Sequence, residues 1–257
     1  MSGRTALITG SSQGIGLAIA ETLLTEGANV AITARTAKRL EASRDRLEQR
    51  FGSDRVMAVQ GDLTGAETEM QACVSAVADR FAGLDILVAN LGSGSGQLGL
   101  AADLGEWDRL VNFNLLAAVS AVRSSVPLMR EKEGGSIVFV SSIVAVDALP
   151  APLPYSAAKA ALNALAKNLS RQLAGDGIRV NVVTPGNVLH EGGTWERKLK
   201  ENESAVTLHI ESEVPMRRFG TPEEVARAVA FLASDTASGF TTGANLVVDG
   251  GQTRGIR

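Results

Sequence analysis

Tyr155 is the only tyrosine in the 257 residues, and Lys159 follows it in the run Tyr155-Ser156-Ala157-Ala158-Lys159. A four-residue spacing puts two side chains on one helix face, so an ammonium can be held beside a phenol. A neighbouring positive charge favours phenolate and lowers the phenol's pKa from its usual value near 10. Bringing it to about 7 takes roughly 4 kcal/mol of differential stabilisation, which requires a partly desolvated cleft. Such a pair could donate and accept a proton near neutral pH. An isolated Tyr-x-x-x-Lys more often marks an ordinary helix surface, so its meaning depends on the rest of the chain.

A second chemical signal lies near the start. Gly10-Ser11-Ser12-Gln13-Gly14-Ile15-Gly16 follows an apolar β-branched run and opens a helix-like stretch. Glycines there let the turn bend sharply and let a ligand's backbone approach, while a helix N-terminus offers free amides to a diphosphate. The spacing Gly-x-x-x-Gly-x-Gly departs from the commoner Gly-x-Gly-x-x-Gly, but its strand, turn and helix context points to a dinucleotide. About twenty residues on, a cofactor with a free ribose 2′-hydroxyl usually meets an acidic side chain. Here Ala34 and Arg35 stand instead, with Lys38 and Arg39 nearby. Nothing repels a 2′-phosphate and a guanidinium can bind one, so NADP(H) is expected over NAD(H).

Composition narrows the alternatives. A hydrophobic fraction of 45% supplies a core, and a net charge of −3 with interspersed signs leaves no footprint for nucleic acid. The lone Cys73 excludes an intramolecular disulfide, suits a reducing compartment, and is expected to pack beside Met70, Val74 and Val77. Only His190 and His209 are present, far apart, so no metal site is expected. With no signal-peptide pattern and no apolar run near 18 residues, a soluble cytoplasmic protein without membrane contact is expected.

The elements that must position these residues alternate strand and helix, the signature of βαβ units. Strands are predicted at 5–9, 29–33, 56–60, 85–89, 136–141, 179–183 and 245–248. Helices are predicted at 15–26, 37–51, 66–81, 104–130, 155–174 and 222–232, the last opening on Pro222 after Thr221. The expected fold is α/β: a Rossmann-type doubly wound sheet of seven parallel strands with helices on both faces, formed by residues 1–257 as a single dinucleotide-binding domain. Two segments break the rhythm: a flexible Gly92-Ser93-Gly94-Ser95-Gly96 loop, and residues 186–215, expected to be a substrate loop or lid helical near 195–202.

With the glycine turn and the Tyr155/Lys159 pair both in place, the chain resembles the short-chain dehydrogenase/reductase family over essentially its full length. Asp62 in Gly61-Asp62-Leu63 matches the family's adenine-contacting position, and Asn90 sits where its Asn-Asn-Ala-Gly motif follows the fourth strand. Asn114 matches the helix asparagine of the catalytic tetrad, and Ser142 precedes Tyr155 by the family's usual thirteen residues. Pro185-Gly186, with Val188 beyond, matches the nicotinamide-side loop. Ala89 and Leu91 depart from the asparagine motif, and His190 stands where the family often has a threonine contacting the cofactor.

The resemblance implies reversible hydride transfer between a nicotinamide and a carbonyl or secondary alcohol. It assigns catalysis to Asn114, Ser142, Tyr155 and Lys159. Ser142 would hold the carbonyl oxygen, Tyr155 would carry the proton, Lys159 would lower its pKa and bind the ribose, and Asn114 would hold a water linking Lys159 to solvent. Cofactor contacts are expected from Gly10, Ser12, Gln13, Gly14, Ile15, Gly16, Arg35, Asp62, Leu63, Asn90, Tyr155, Lys159, Pro185, Gly186 and Val188. The implied partners are a small carbonyl or alcohol substrate and three further copies in a homotetramer. Two alternatives remain at this level: a 3-oxoacyl reductase acting on acyl-carrier or coenzyme A thioesters, and a non-catalytic NADP(H) sensor or scaffold. The 186–215 segment mixes His190, Trp195, Arg197, Lys198 and Lys200 with Glu191, Glu196, Glu201 and Glu203, so it offers no clear basic docking face for an acidic carrier.

Overall fold

The computed structural model describes residues 1–65 and 67–255. Seven parallel strands form one sheet in the order β3-β2-β1-β4-β5-β6-β7. They are β1 (Thr5–Ile8), β2 (Asn29–Ala34), β3 (Val56–Gln60), β4 (Ile86–Ala89), β5 (Gly135–Val140), β6 (Ile178–Pro185) and β7 (Asn245–Val248). Near-continuous apolar strands such as β1 and β4 are buried along their whole length, as a sheet covered on both faces requires.

Alternate residues of each strand divide between two cores. Ala6, Ile8, Val88 and Val140 pack with α1 (Gly14–Thr25), α2 (Ala37–Phe51) and, further along the chain, α9 (Pro222–Ala233). Leu7, Leu87, Ile137 and Phe139 face the other way, toward α3 (Glu67–Phe81), α5 (Ala117–Glu131) and α6 (Leu153–Leu173). Cys73 is buried in this second core beside Met70, Val74 and Val77, and burial pushes its thiol up to about 12. A Thr221–Glu224 capping box starts α9.

Three elements differ from expectation. The stretch 104–130 is not one regular helix: α4 (Leu104–Val111) passes through a π-helical turn at Asn112–Leu116 into α5. The segment 186–215 is mostly helical, with α7 (Thr194–Glu201) followed by α8 (Glu203–Glu213). The 92–96 loop is tethered rather than loose: Asn114 Oδ1 accepts from Ser93 N, Arg109 donates to Ser95 O, and Glu106 accepts from Gln97 N. Ala66, placed at the start of the third predicted helix, lies outside the described residues.

Parallel order puts every strand's carboxyl end on one rim, and the crevice opens where connections leave β1 and β4 for opposite faces. The opposite rim is held by charge, with the buried Asp85 carboxylate accepting from Arg4, Lys132 and the amide of Thr5. Among the described residues, no helix is long and apolar enough to cross a membrane.

Candidate active site

The glycine turn is clamped before α1 begins. Ser11 Oγ donates to Ile8 O and accepts from Thr33 N, while Thr33 Oγ1 accepts from Gly10 N. Across the crevice, Asn90 Nδ2 donates to Thr9 O at 3.1 Å and Gly10 O at 2.9 Å, tying the ends of β1 and β4 together. Glycine is required here by geometry: a Cβ on Gly16 would lie 2.5 Å from Gly10 O and 2.6 Å from Asn90 Nδ2, and Gly14 has φ +55°. A backbone cradle that a side chain would fill, opening at a helix N-terminus, fits a diphosphate.

A groove of about 340 Å³ runs from this turn along the strand ends. Gly10, Ser12, Gln13, Ile15, Gly16, Arg35, Asp62, Leu63, Asn90, Tyr155 and Lys159 line it, and Gly14 does not. Arg35 lies over the Phe113 ring at 5.5 Å, and Arg39 donates to Gln13. Two guanidinium groups therefore flank the end of β2, whereas Lys38 lies outside the lining. The Thr64 hydroxyl, bonded to Asp62 Oδ1 at 2.6 Å, holds the Asp62 carboxyl below its usual range against the upward push of burial.

Pro185, Gly186 and Val188 do not border this groove; they line a larger adjoining cavity of about 1140 Å³. Tyr155 belongs to both spaces, with Lys159 on the groove side and Ser142 on the cavity side. The turn after β5 places Ser142, and the first turns of α6 place Tyr155 and Lys159. Tyr155 is half-buried, and its hydroxyl is hydrogen-bonded to Ser142.

The electrostatics correct one expectation. Burial raises the Tyr155 pKa, and the Ser142 bond only partly offsets it. Lys159 is 2% exposed, donates to Val140 O at 2.8 Å, and is drawn by burial down to about 8. The free protein thus has a phenol pushed up and an ammonium pushed down, because loss of water disfavours both charges. Asn114 is fully buried in the π turn, where its Nδ2 donates to Leu110 O and Ser93 O. Its Oδ1 and Lys159 Nζ lie 3.1 and 2.9 Å from where a Cβ on Gly92 would stand, so they face each other across that glycine.

His190, left open by the sequence, borders both spaces. Its ring would lie 2.7 Å from a Cβ on Gly14, and Nδ1 is 2.9 Å from Glu191 O; since a carbonyl only accepts, Nδ1 carries the proton. Trp195 anchors the segment over the cavity. It stacks on His209 with centroids 5.4 Å apart and meets Phe219 at 5.4 Å, while Lys198 lies 4.6 Å from its ring. Asn187 and Gln252 also line the cavity; the sequence reading passed over both.

The chain is similar to known proteins over nearly its whole length. The family model described as Enoyl-(Acyl carrier protein) reductase matches residues 10–253. A 3-oxoacyl-[acyl-carrier-protein] reductase of Staphylococcus aureus is 34% identical over 250 residues, covering 96% of this chain and 97% of its own. The crystal structure of L-sorbose reductase from Gluconobacter frateurii, complexed with NADPH and L-sorbose, has a TM-score of 0.93 at 36% identity over 100% of this chain and 98% of that one. An NADPH-bound short chain oxidoreductase from Pseudomonas aeruginosa PAO1 gives 0.91 at 33% identity, with 98% of each chain covered.

Because Gly16 has backbone on its empty side, Gly16→Ala must push α1 away from the turn. We expect NADPH affinity to fall at least tenfold and stability by about 1–3 kcal/mol. Fluorescence titration and urea unfolding check both.

Proposed function

The chain belongs to the short-chain dehydrogenase/reductase family, an oxidoreductase by that membership, and from this premise we propose that it reduces a ketone with NADPH, and oxidises the matching secondary alcohol, through Tyr155. The observation that carries the reading is the junction at Tyr155, which touches the cofactor groove on its Lys159 side and the substrate cavity on its Ser142 side. Bound in the groove, the cofactor supplies the hydride. Ser142 then holds the carbonyl oxygen as negative charge grows there, and Tyr155 delivers the proton to it. A raised phenol pKa suits this direction, since the hydroxyl is protonated before transfer. Lys159, kept as ammonium, stabilises the phenolate left behind and holds ribose hydroxyls. The Oδ1 of Asn114, which faces Lys159, would hold the water that links Lys159 to solvent. A pure NADP(H) sensor needs only the turn and the ribose contacts, so the joint presence of Asn114, Ser142, Tyr155 and Lys159 argues against it.

NADP(H) preference is supported by Ala34 and by the paired guanidinium groups of Arg35 and Arg39, and relatives with NADPH bound agree with it. The substrate is less constrained: one relative is named for a 3-oxoacyl thioester and another for L-sorbose. The 3-oxoacyl thioester remains the second reading. Fold and motif fix the bond chemistry, and the substrate follows from the cavity.

Tyr155→Phe should keep NADPH binding while kcat falls about 10²- to 10⁴-fold, the usual worth of a positioned proton donor. Near-native turnover in the folded variant refutes the assignment. Arg35→Ala should raise the KM for NADPH roughly tenfold or more, as loss of a charged hydrogen bond predicts, with little change for NADH. A native enzyme that prefers NADH overturns that choice. For pH, Lys159 is charged below about 8 and neutral above it. The kcat/KM for NADPH, which reports free-enzyme groups, should therefore decline above about pH 8. A flat profile across that range removes the ammonium from the mechanism.

A further inference from the structure

Helix α7 carries three cations over the substrate cavity, and two of them are already engaged. Lys200 pairs with Glu196 at 3.0 Å, and Lys198 lies over the Trp195 ring at 4.6 Å. Arg197 is different. It makes no ion pair among the described residues, and its only side-chain bonds there are two long ones, 3.4 Å each from Nη2 to the hydroxyls of Thr194 and Ser95. Nε and Nη1 have no acceptor among the described residues. The side chain lines the substrate cavity and not the cofactor groove.

The Ser95 contact relates this guanidinium to the chemistry. A Cβ on Gly94 would lie 3.4 Å from Tyr155 Cε1, and Ser95 is the next residue, about 3.8 Å along the chain. Arg109 donates to Ser95 O at 3.0 Å and Glu106 accepts from Gln97 N at 2.7 Å, so α4 fixes this edge. Arg197 thus spans the cavity mouth, from the lid to a fixed edge one residue removed from the glycine against Tyr155. The acidic residues of the lining are occupied elsewhere. Asp147 accepts from the amides of Ala148 and Arg254, and Glu213 lies 3.8 Å from the Arg254 guanidinium.

We propose that the substrate is an oxo acid, or the matching hydroxy acid in the reverse direction, whose carboxylate is held by Arg197 while its carbonyl is reduced at Tyr155. This rests on the reductase reading for its bond chemistry and adds the substrate class. A guanidinium's planar fork matches the two oxygens of a carboxylate, and the Ser95 and Thr194 hydroxyls beside it can donate to the same group. One uncompensated cation suits one negative charge. A neutral ketone leaves Arg197 unmet, and a 3-oxoacyl thioester carries no charge within several bonds of its reacting carbonyl. In the reaction the ketone carbon takes a hydride from the reduced nicotinamide, which is left oxidised. The carbonyl oxygen takes the Tyr155 proton to become the new hydroxyl, and the carboxylate is unchanged.

The test uses the whole chain with NADPH on acetoacetate and levulinate against their methyl esters and an acetoacetyl thioester. Calorimetric binding of levulinate to the NADP⁺-loaded protein is measured in parallel. We expect kcat/KM to favour the acids over their esters at least about tenfold at low salt, as a charged hydrogen bond predicts. Arg197 is exposed at the mouth, so the preference should shrink as salt rises from about 0.01 M to about 1 M and the Debye length falls from about 30 to about 3 Å. Arg197→Gln, checked for folding by thermal melting, should reduce the preference to within about threefold and weaken levulinate binding in step, with Arg197→Lys between the two. Equal or higher kcat/KM for the esters or the thioester, a preference insensitive to salt, or one that survives Arg197→Gln overturns the proposal. If no carbonyl is turned over, the reductase reading fails on its own. Levulinate binding that depends on Arg197 then still supports the recognition, and no binding overturns it.

Discussion

The Asn90 side chain is the interaction on which the site depends. Its Nδ2 grips the carbonyls of Thr9 and Gly10, while Thr9 Oγ1 accepts from the amides of Asn90 and Leu91. These four bonds join the ends of β1 and β4 where the chain leaves for opposite faces of the sheet, and they give the phosphate turn and the 92–96 loop one common support. Ser93 is then bonded to Asn114, and Asn114 to Leu110. The glycine turn is thereby connected to the π turn facing Lys159 through the Asn90 bonds, the backbone from 90 to 93 and the Ser93–Asn114 bonds.

The π turn has a specific consequence on that path. The helix widens at Asn112–Leu116, and there the Asn114 side chain donates to Leu110 O. Gly92 completes the arrangement, because any side chain there would meet Lys159 Nζ and Asn114 Oδ1. The lysine is thereby kept in a dry slot with Val140 O as a partner. A buried charge so lightly compensated is costly, which is why its pKa drops. Negative charge brought by a ligand into the adjoining groove would act in the opposite sense and favour the ammonium.

Much of this was legible in the sequence, and the exceptions share physical causes. All seven strands and the turn at Gly10 follow from short apolar runs and local glycine chemistry. The π turn was not legible, since one extra residue in a turn shifts the apolar phase too little to separate 104–111 from 117–131. α8 was missed because only Val206 and Ile210 of its face are buried, so it lacks a strong apolar stripe. Tyr155 and Lys159, four apart on α6, both line the groove. The direction of their pKa shifts did not follow from spacing, since burial dominates both and burial is a property of the fold.

The two halves of the site therefore differ in kind. The cofactor half is built from residues within a few positions of the ends of β1, β2 and β4, so each contact is announced by a local pattern such as Gly10 to Gly16 or Ala34-Arg35. The substrate half is assembled from the loop after β5, the helical segment carrying Trp195, and the tail carrying Gln252. It is closed by bonds as distant in sequence as Arg254 to Asp147. Nothing local in Gly250-Gly251-Gln252 announces a place on the cavity lining, which depends on the pairing of β7 with β6. Changes in α7, α8 or the tail can alter the cavity without touching the Asn90 clamp. On the proposed reductase reading, the hydride-transfer centre would keep its geometry while the choice of carbonyl compound is made by segments that contribute little to the sheet.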